Sequence, residues 1–365
     1  MSIELIISLV KANIVLAVLL TNTILLIWFE RKVVAGMQSR VGPDRAGPFG
    51  ILQTLADAIK LLLKEQILPL KADRAMYLLA PLIALVPSFL IFMIIPLGPD
   101  ITVEWQNALY TIPLVGADLN VGVLYFLALS SIAVYSVVLA GWSSGSKYPL
   151  LGGVRASAQM ISYEAAMGLA LVPVILYSGS LSLVDIVNSQ SGNLSSSIPI
   201  LNTIVSFIPK WNIFPQFVAF GIFFIAAVAE VNRAPFDLVE AEQELVGGFH
   251  TEYSGFRFAM FFLAEYINMF NMCAITATFF LGGWLGPTFE GILPPIFSVI
   301  MPIIWLGVKT FLLLFVFVWI RATLPRLRYD QLMELGWKRM IPLSLVWLIL
   351  SAIVLGLREF GLPWS

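Results

Sequence analysis

One cysteine and one histidine, Cys273 and His250, are all that this sequence offers of the two side chains most used to hold transition metals. A disulfide needs two thiols, so no disulfide framework is open to it. An iron–sulfur cluster takes about four thiolates, and a bis-histidine haem takes two imidazoles, so neither is expected on this chain. No Walker-type phosphate loop occurs, and no G-x-G-x-x-G opens a helix after a strand, which leaves no nucleotide or flavin signature. Charge is scarce too. Asp, Glu, Lys and Arg together make up 12% of the chain, and no basic tract of the kind that binds nucleic acid stands out. The first residues lack a basic region followed by a small-residue cleavage site and carry Lys11 inside the apolar run, so no cleavable signal is expected. If redox chemistry passes through this protein, another chain brings the electrons.

What the sequence has in abundance is apolar length. Hydrophobic residues make up 59% of 365, and the mean hydropathy is +0.92. Runs longer than about 18 apolar residues read as membrane helices, the one non-barrel structure that satisfies its own backbone in lipid. The fold class expected is all-α: a polytopic membrane protein forming one integral membrane domain over 1–365. About eight transmembrane helices are expected, near 5–29, 76–98, 119–141, 157–178, 213–231, 257–283, 299–321 and 339–357. The connections 30–75, 142–156, 232–256 and 322–338, with the span edges beside them, hold 17 of the 21 Lys and Arg residues. That asymmetry places them in the cytoplasm and both termini on the opposite side. The connection at 178–212, with its "SQSGNLSSSIP", reads as polar and irregular.

Charge gathers in a few places. In the first long connection, Ile51, Leu52, Leu55, Ile59, Leu62 and Leu63 recur at helical spacing with Gln53, Asp57, Lys60 and Lys64 between them. This predicts an amphipathic interfacial helix near 50–66, which serves either as a surface anchor with its lysines on lipid headgroups or as the wall of a pocket mouth. "AEVNRAPFDLVEAEQELVGGFHTEYSG", residues 229–255, holds Glu230, Asp237, Glu240, Glu242, Glu244 and Glu252 against the single cation Arg233. Asp237, Glu240 and Glu244 fall on one helical face, where like charges repel unless water or a cationic partner reaches them. A solvated acidic loop and a proton-handling segment both fit that pattern.

Two carboxylates lie deeper. Glu164 and Glu265 each sit about eight residues into their spans, roughly 12 Å from the cytoplasmic edge, and Lys309 lies near the middle of the seventh. Ionisable groups at such depth face an interior cavity or a partner, or else lock helices together. Lys11 is close enough to the outer edge to snorkel. Glu230, Glu164, Glu265 and Lys309 therefore suggest a partly hydrated half-channel that opens on the acidic segment. No internal repeat or broken-helix pair supports a stand-alone secondary transporter, although that class stays open. A pure scaffold leaves the buried charges unexplained.

The motifs "ERKVVAGMQSRVGPDRAGPFGILQTLADAIKLLLKE" (30–65), "GGVRASAQMISYE" (152–164), "AEVNRAPFDLVEAEQELVGGFHTEYSG" (229–255) and "RATLPRLRYDQLMELGWKRMIP" (321–342) resemble the quinone-proximal membrane subunit of type I NADH:quinone oxidoreductase, respiratory complex I, often called subunit 1 or the H subunit. The ion-translocating subunits of membrane-bound hydrogenase-type complexes share weaker versions. Asp44, Val231 and Val239 depart from the family's usual Asn, Thr or Cys, and Pro, and no charged member of the motifs is lost.

The resemblance implies a multi-pass subunit of an energy-conserving inner membrane, in bacteria the cytoplasmic membrane. It implies a quinone as substrate, with no iron–sulfur or flavin centre on this chain. Peripheral-arm subunits would carry the terminal iron–sulfur cluster, and small membrane subunits and antiporter-like subunits would lie alongside, all among membrane lipids. The quinone would enter between the first span, the sixth span and the surface helix. It would meet Arg31, Gln38, Arg40, Asp57, Arg233, Phe236, Glu240 and Arg321, and Glu164, Glu230, Asp237, Glu240, Glu242, Glu244, Glu252, Glu265 and Lys309 would form the proton path.

Overall fold

The computed structural model describes residues 3–105, 108–193, 209–238, 246–287 and 296–360. A helix stands at each of the eight apolar stretches. In chain order the elements are α1 (Ile3–Met37), α2 (Gln53–Leu63), α3 (Arg74–Met93), the hairpin β1 (Ile101–Trp105) and β2 (Ala108–Ile112), α4 (Gly122–Ser143), α5 (Lys147–Ser178) and α6 (Leu183–Ser189). Then come α7 (Phe217–Glu230), α8 (Gly255–Phe280), α9 (Ile296–Thr323), α10 (Tyr329–Glu334), a wider π turn (Leu335–Met340) and α11 (Ile341–Phe360). Among the described residues, seven helical stretches are long and apolar enough to cross a membrane.

The eighth, α7, has 14 residues, about 21 Å at 1.5 Å per residue and short of a 30 Å hydrocarbon layer. It is trimmed at both ends. Pro215 precedes it within a turn, and Asn232 adopts a left-handed backbone (φ 54°) that ends it two residues after Glu230, a conformation Asn tolerates better than most residues. In contrast, α5 starts at Lys147, ten residues before the expected edge, and runs for 32 residues. Residues 178–193 are less irregular than their composition suggested. The Ser182 hydroxyl accepts from Asp185 N (3.5 Å) and caps α6, which buries Leu183, Ile186 and Val187. β1 and β2 pair antiparallel, with Ile101 opposite Ile112 and Val103 opposite Tyr110.

α5 is the hub. It packs against α4, α7 and α11, while α3 packs against α4 and α8, and α8 against α9. Small residues set the close approaches. A Cβ at Gly141 of α4 would stand 2.5 Å from Pro149 O of α5, and one at Gly152 would stand 2.7 Å from Gly248 Cα. The second contact seats the turn Gly248–His250 directly on α5. The same turn is tied to α3: Tyr77 and Tyr253 stack with ring centres 4.1 Å apart, and the Tyr77 hydroxyl donates to Glu252 O at 2.8 Å.

Successive connections alternate between the two ends of the bundle. Asp73 N donates to Ser143 O and Leu327 N to Pro235 O, so the connections after α1, α4, α7 and α9 meet at one end. At the other, Lys11 Nζ donates to Pro113 O, Val123 N to Leu181 O and Ile213 N to Phe280 O.

Candidate functional site

At the end where 38–73 and 231–254 meet, α2 lies against α1 and α8 with its faces reversed from those of a soluble amphipathic helix. Gln53, Thr54, Asp57 and Leu61 turn inward, whereas Leu55, Ile59, Leu62 and Leu63 are exposed. An apolar outer face suits lipid, and the polar inner stripe needs partners within the protein. Arg31 supplies one: its guanidinium reaches Asp57 Oδ2 at 2.6 Å, and Gln53 donates to Asp57 Oδ1 at 3.0 Å. Arg40 and Gln38 stay at the surface and pair with each other, Nε to Oε1, at 2.7 Å.

Beside the Arg31–Asp57 pair, residues of α1 and α8 converge on Arg233. Its Nη1 donates to Glu30 Oε1 at 3.1 Å, its Nε stands 2.7 Å from Glu265 Oε1, and its guanidinium covers the Tyr266 ring at 4.4 Å. Arg321, from the end of α9, also bonds Glu30. Glu30 and Arg233 are buried, with side chains 6% exposed. Two carboxylates thus face two guanidiniums, and the charge balance makes the burial of Glu30 and Arg233 tenable. Phe236, by contrast, is a core residue whose ring tilts against Tyr163 at 5.4 Å, and its carbonyl accepts from Gln159 Nε2 at 2.7 Å. The same amide nitrogen donates to Ala229 O at 2.7 Å, which closes the carbonyl end of α7.

Asp237 lies outside any helix and pairs with Arg326 at 3.0 Å. Glu240, Glu242 and Glu244 fall outside the described residues. The side chain of Glu252 is partly exposed, beside the Tyr77–Tyr253 stack.

Glu230 closes α7 in a buried position and accepts from the Ser130 hydroxyl of α4. Half-buried Glu164 of α5 accepts from the next serine, Ser131. Adjacent hydroxyls on one helix therefore hold the two carboxylates. Glu230 also lines a small cleft of about 70 Å³, together with Glu265, Asn232, Asn268, Ser136, His250 and apolar residues of α3, α4, α5 and α8. That is room for a few water molecules rather than for a drug-sized ligand. The polar series thus runs Arg321, Glu30, Arg233, Glu265, then across the cleft to Glu230 and on to Glu164. His250 stands edge-on to Phe249, Phe258 and Phe262, with ring centres 5.0, 5.3 and 6.1 Å away. Burial among these rings pushes its imidazole down to about 4, so it is neutral at physiological pH.

Lys309 turns elsewhere. Its ammonium donates to the carbonyls of Leu281, Gly283 and Leu285 and lies 4.3 Å from the Trp211 ring centre. Those carbonyls follow the last turn of α8, where cations are favoured. Gly282 and Gly283, at φ 72° and 50°, fold the segment inward to meet it. Lys309 is thus a clasp between α9 and the far end of α8, away from the carboxylates of the cleft. Lys309→Met should remove about 2 kcal/mol of stability by leaving buried carbonyls unsatisfied. We expect an unfolding midpoint several degrees lower in detergent, with most of the loss recovered in Lys309→Arg. An unchanged midpoint in Lys309→Met would contradict the clasp.

Relatives match along almost the whole chain. It is 47% identical over 362 residues to the NADH-quinone oxidoreductase H subunit 2 of Koribacter versatilis, covering 97% of this chain and 98% of that one. It is 51% identical over 336 residues to the H subunit 2 of Syntrophobacter fumaroxidans, 92% of each. Against the H subunit 1 of Geobacter metallireducens it is 48% identical over 357 residues, 98% of this chain and 99% of that one. The family model described as NADH dehydrogenase matches residues 10–352. The chain belongs to the H-subunit family of NADH-quinone oxidoreductase. Members of that family are membrane subunits of a multi-subunit oxidoreductase, which accords with the apolar helices. Glu30, Gln159 and Arg326 lie in the sequence motifs and join the contacts above, although their spacing does not single them out. Their partners lie far along the chain: Glu30 is 203 residues from Arg233, Gln159 is 70 from Ala229, and Arg326 is 89 from Asp237.

Proposed function

We propose that this chain forms the lower part and entrance of the quinone chamber of a proton-pumping NADH:quinone oxidoreductase, and that its buried carboxylates couple quinone reduction to proton translocation. The observation that carries the reading is the position of Arg233. It is joined to Glu265, which lines the same cleft as Glu230, while its other partner, Glu30, is next in sequence to Arg31 beside α2.

A quinone enters from lipid between α1, α2 and α8. Its tail lies along apolar wall, and its head meets the polar stripe of Asp57 and Arg31. Peripheral-arm subunits deliver two electrons and the head takes up two protons. The change of charge beside a balanced group of two acids and two guanidiniums alters which carboxyl holds a proton. Each tenfold change in such an equilibrium requires only about 1.4 kcal/mol. Glu265, Glu230 and Glu164 pass the change across the bundle toward small membrane subunits and antiporter-like subunits. The acids at 237–252 supply protons from the cytoplasm, both termini face the other side, and the membrane is an energy-conserving inner membrane. Lys309 supports the bundle that carries this path.

A photoreactive quinone added to the assembled complex tests the entrance. Label is expected within 31–66 and 229–262, and label confined to the connections at 98–119 and 178–212 would reverse the orientation.

A further inference from the structure

His250 is the one titratable group of the cleft that the coupling path leaves without a role. A packing role would be sufficient for a side chain ringed by Phe249, Phe258 and Phe262, but it does not account for the nitrogens. Among the described residues no side chain or carbonyl bonds the imidazole. The ring lines the cleft with Glu230 and Glu265. Two other polar atoms of the same wall have capacity to spare: Glu230 Oε2 and Asn268 Oδ1 are buried with no partner among the described residues. The wall therefore presents unused hydrogen-bonding groups toward one polar occupant or one another.

We propose that His250 relays protons across the cleft between the Glu265 side and Glu230, an inference that rests on the coupling role proposed above. A neutral imidazole has one acceptor and one donor nitrogen. A proton leaving one carboxylic acid, directly or through cleft solvent, binds the acceptor nitrogen as the donor nitrogen releases its own to the other carboxylate. The ring ends neutral with its tautomer exchanged, and a ring flip or the reverse transfer resets it. No net charge is left on the imidazole, which suits a site where the aromatic cage disfavours the cation. Gly152 and the Tyr77–Tyr253 stack fix the turn that carries the ring.

The test uses the assembled complex in sealed vesicles and measures protons pumped per electron together with quinone reductase turnover. His250→Ala should lower the proton-to-electron ratio and slow turnover by about tenfold, less than the ~100-fold or more that a placed general acid–base contributes, because cleft solvent carries part of the transfer. Added imidazole should restore at least a third of the loss. Pyrrole, with the same shape and a donor but no acceptor, should restore none. His250→Phe keeps the aromatic packing and should show the same deficit if His250→Ala does not assemble. Wild-type pumping in His250→Phe, rescue by pyrrole as good as by imidazole, or no rescue by imidazole would each overturn the proposal. Glu230→Gln measured in parallel separates the two readings. If it is impaired while the His250 variants are normal, only the role of His250 falls; if Glu230→Gln pumps normally, the coupling path itself falls.

Discussion

Arg233→Met in the assembled complex is expected to reduce quinone reductase activity to below about a tenth. The substitution removes the cation that Glu30 and Glu265 share and leaves Arg321 to face Glu30 alone. Stripping one partner from a buried, hydrogen-bonded charge group costs about 3–5 kcal/mol. Glu265 then has two courses: it takes up a proton and stays neutral, or it draws solvent and displaces α8. Both disconnect the quinone side from the cleft. Arg233→Lys keeps the charge but cannot reach two carboxylates in different directions while lying flat on Tyr266, as the planar guanidinium does. Its activity should fall between wild type and Arg233→Met. Activity in Arg233→Met within about twofold of wild type, in a complex of normal subunit content, would remove Arg233 from the path.

Glu230→Gln should have the second largest effect. The substitution keeps the size of the side chain and its ability to accept from Ser130, but it cannot gain or lose a proton. Pumping should fall by at least tenfold, equivalent to about 1.4 kcal/mol or more, and turnover should fall with it because the two are coupled. Packing alone predicts the reverse, since an amide in a buried site avoids the cost of a charge and should assemble as well as wild type or better. Glu230→Asp, one methylene shorter, should retain part of the activity. Normal pumping in Glu230→Gln would exclude this carboxyl.

The positions of the helices were legible in the sequence because a 30 Å apolar layer demands about 20 apolar residues whatever the packing. The length of α7 was less legible. The apolar run around it continues through Ile213 and Phe214, and only the turns at Pro215 and Asn232 shorten the helix. The hairpin had a signal in "ITVEW" and "ALYTI", whose β-branched and aromatic residues favour strands, but it is overshadowed by the neighbouring spans. Glu164, Glu230 and Glu265 could be picked out because an acid in lipid is costly wherever it sits.

What spacing could not show is convergence. Glu30 reads as the charged flank of a span, and nothing local tells that Arg233 and Arg321, 203 and 291 residues away, bond to it. Asp237 looked starved of cations because its Arg326 arrives from the connection after α9. Lys309 sits mid-helix, yet its partners belong to a segment that folds inward from the far end of α8, a path fixed by Gly282 and Gly283.

The most direct measurement is an infrared difference spectrum of the assembled complex, recorded between its oxidised state and its state after quinone reduction by NADH. If reduction moves a proton on or off a carboxyl in this cleft, a carboxylic C=O stretching band should change on reduction in wild type and be missing from the difference spectrum of Glu230→Gln. The same band in both spectra, or no carboxyl band in either, would contradict the coupling of these residues to the quinone.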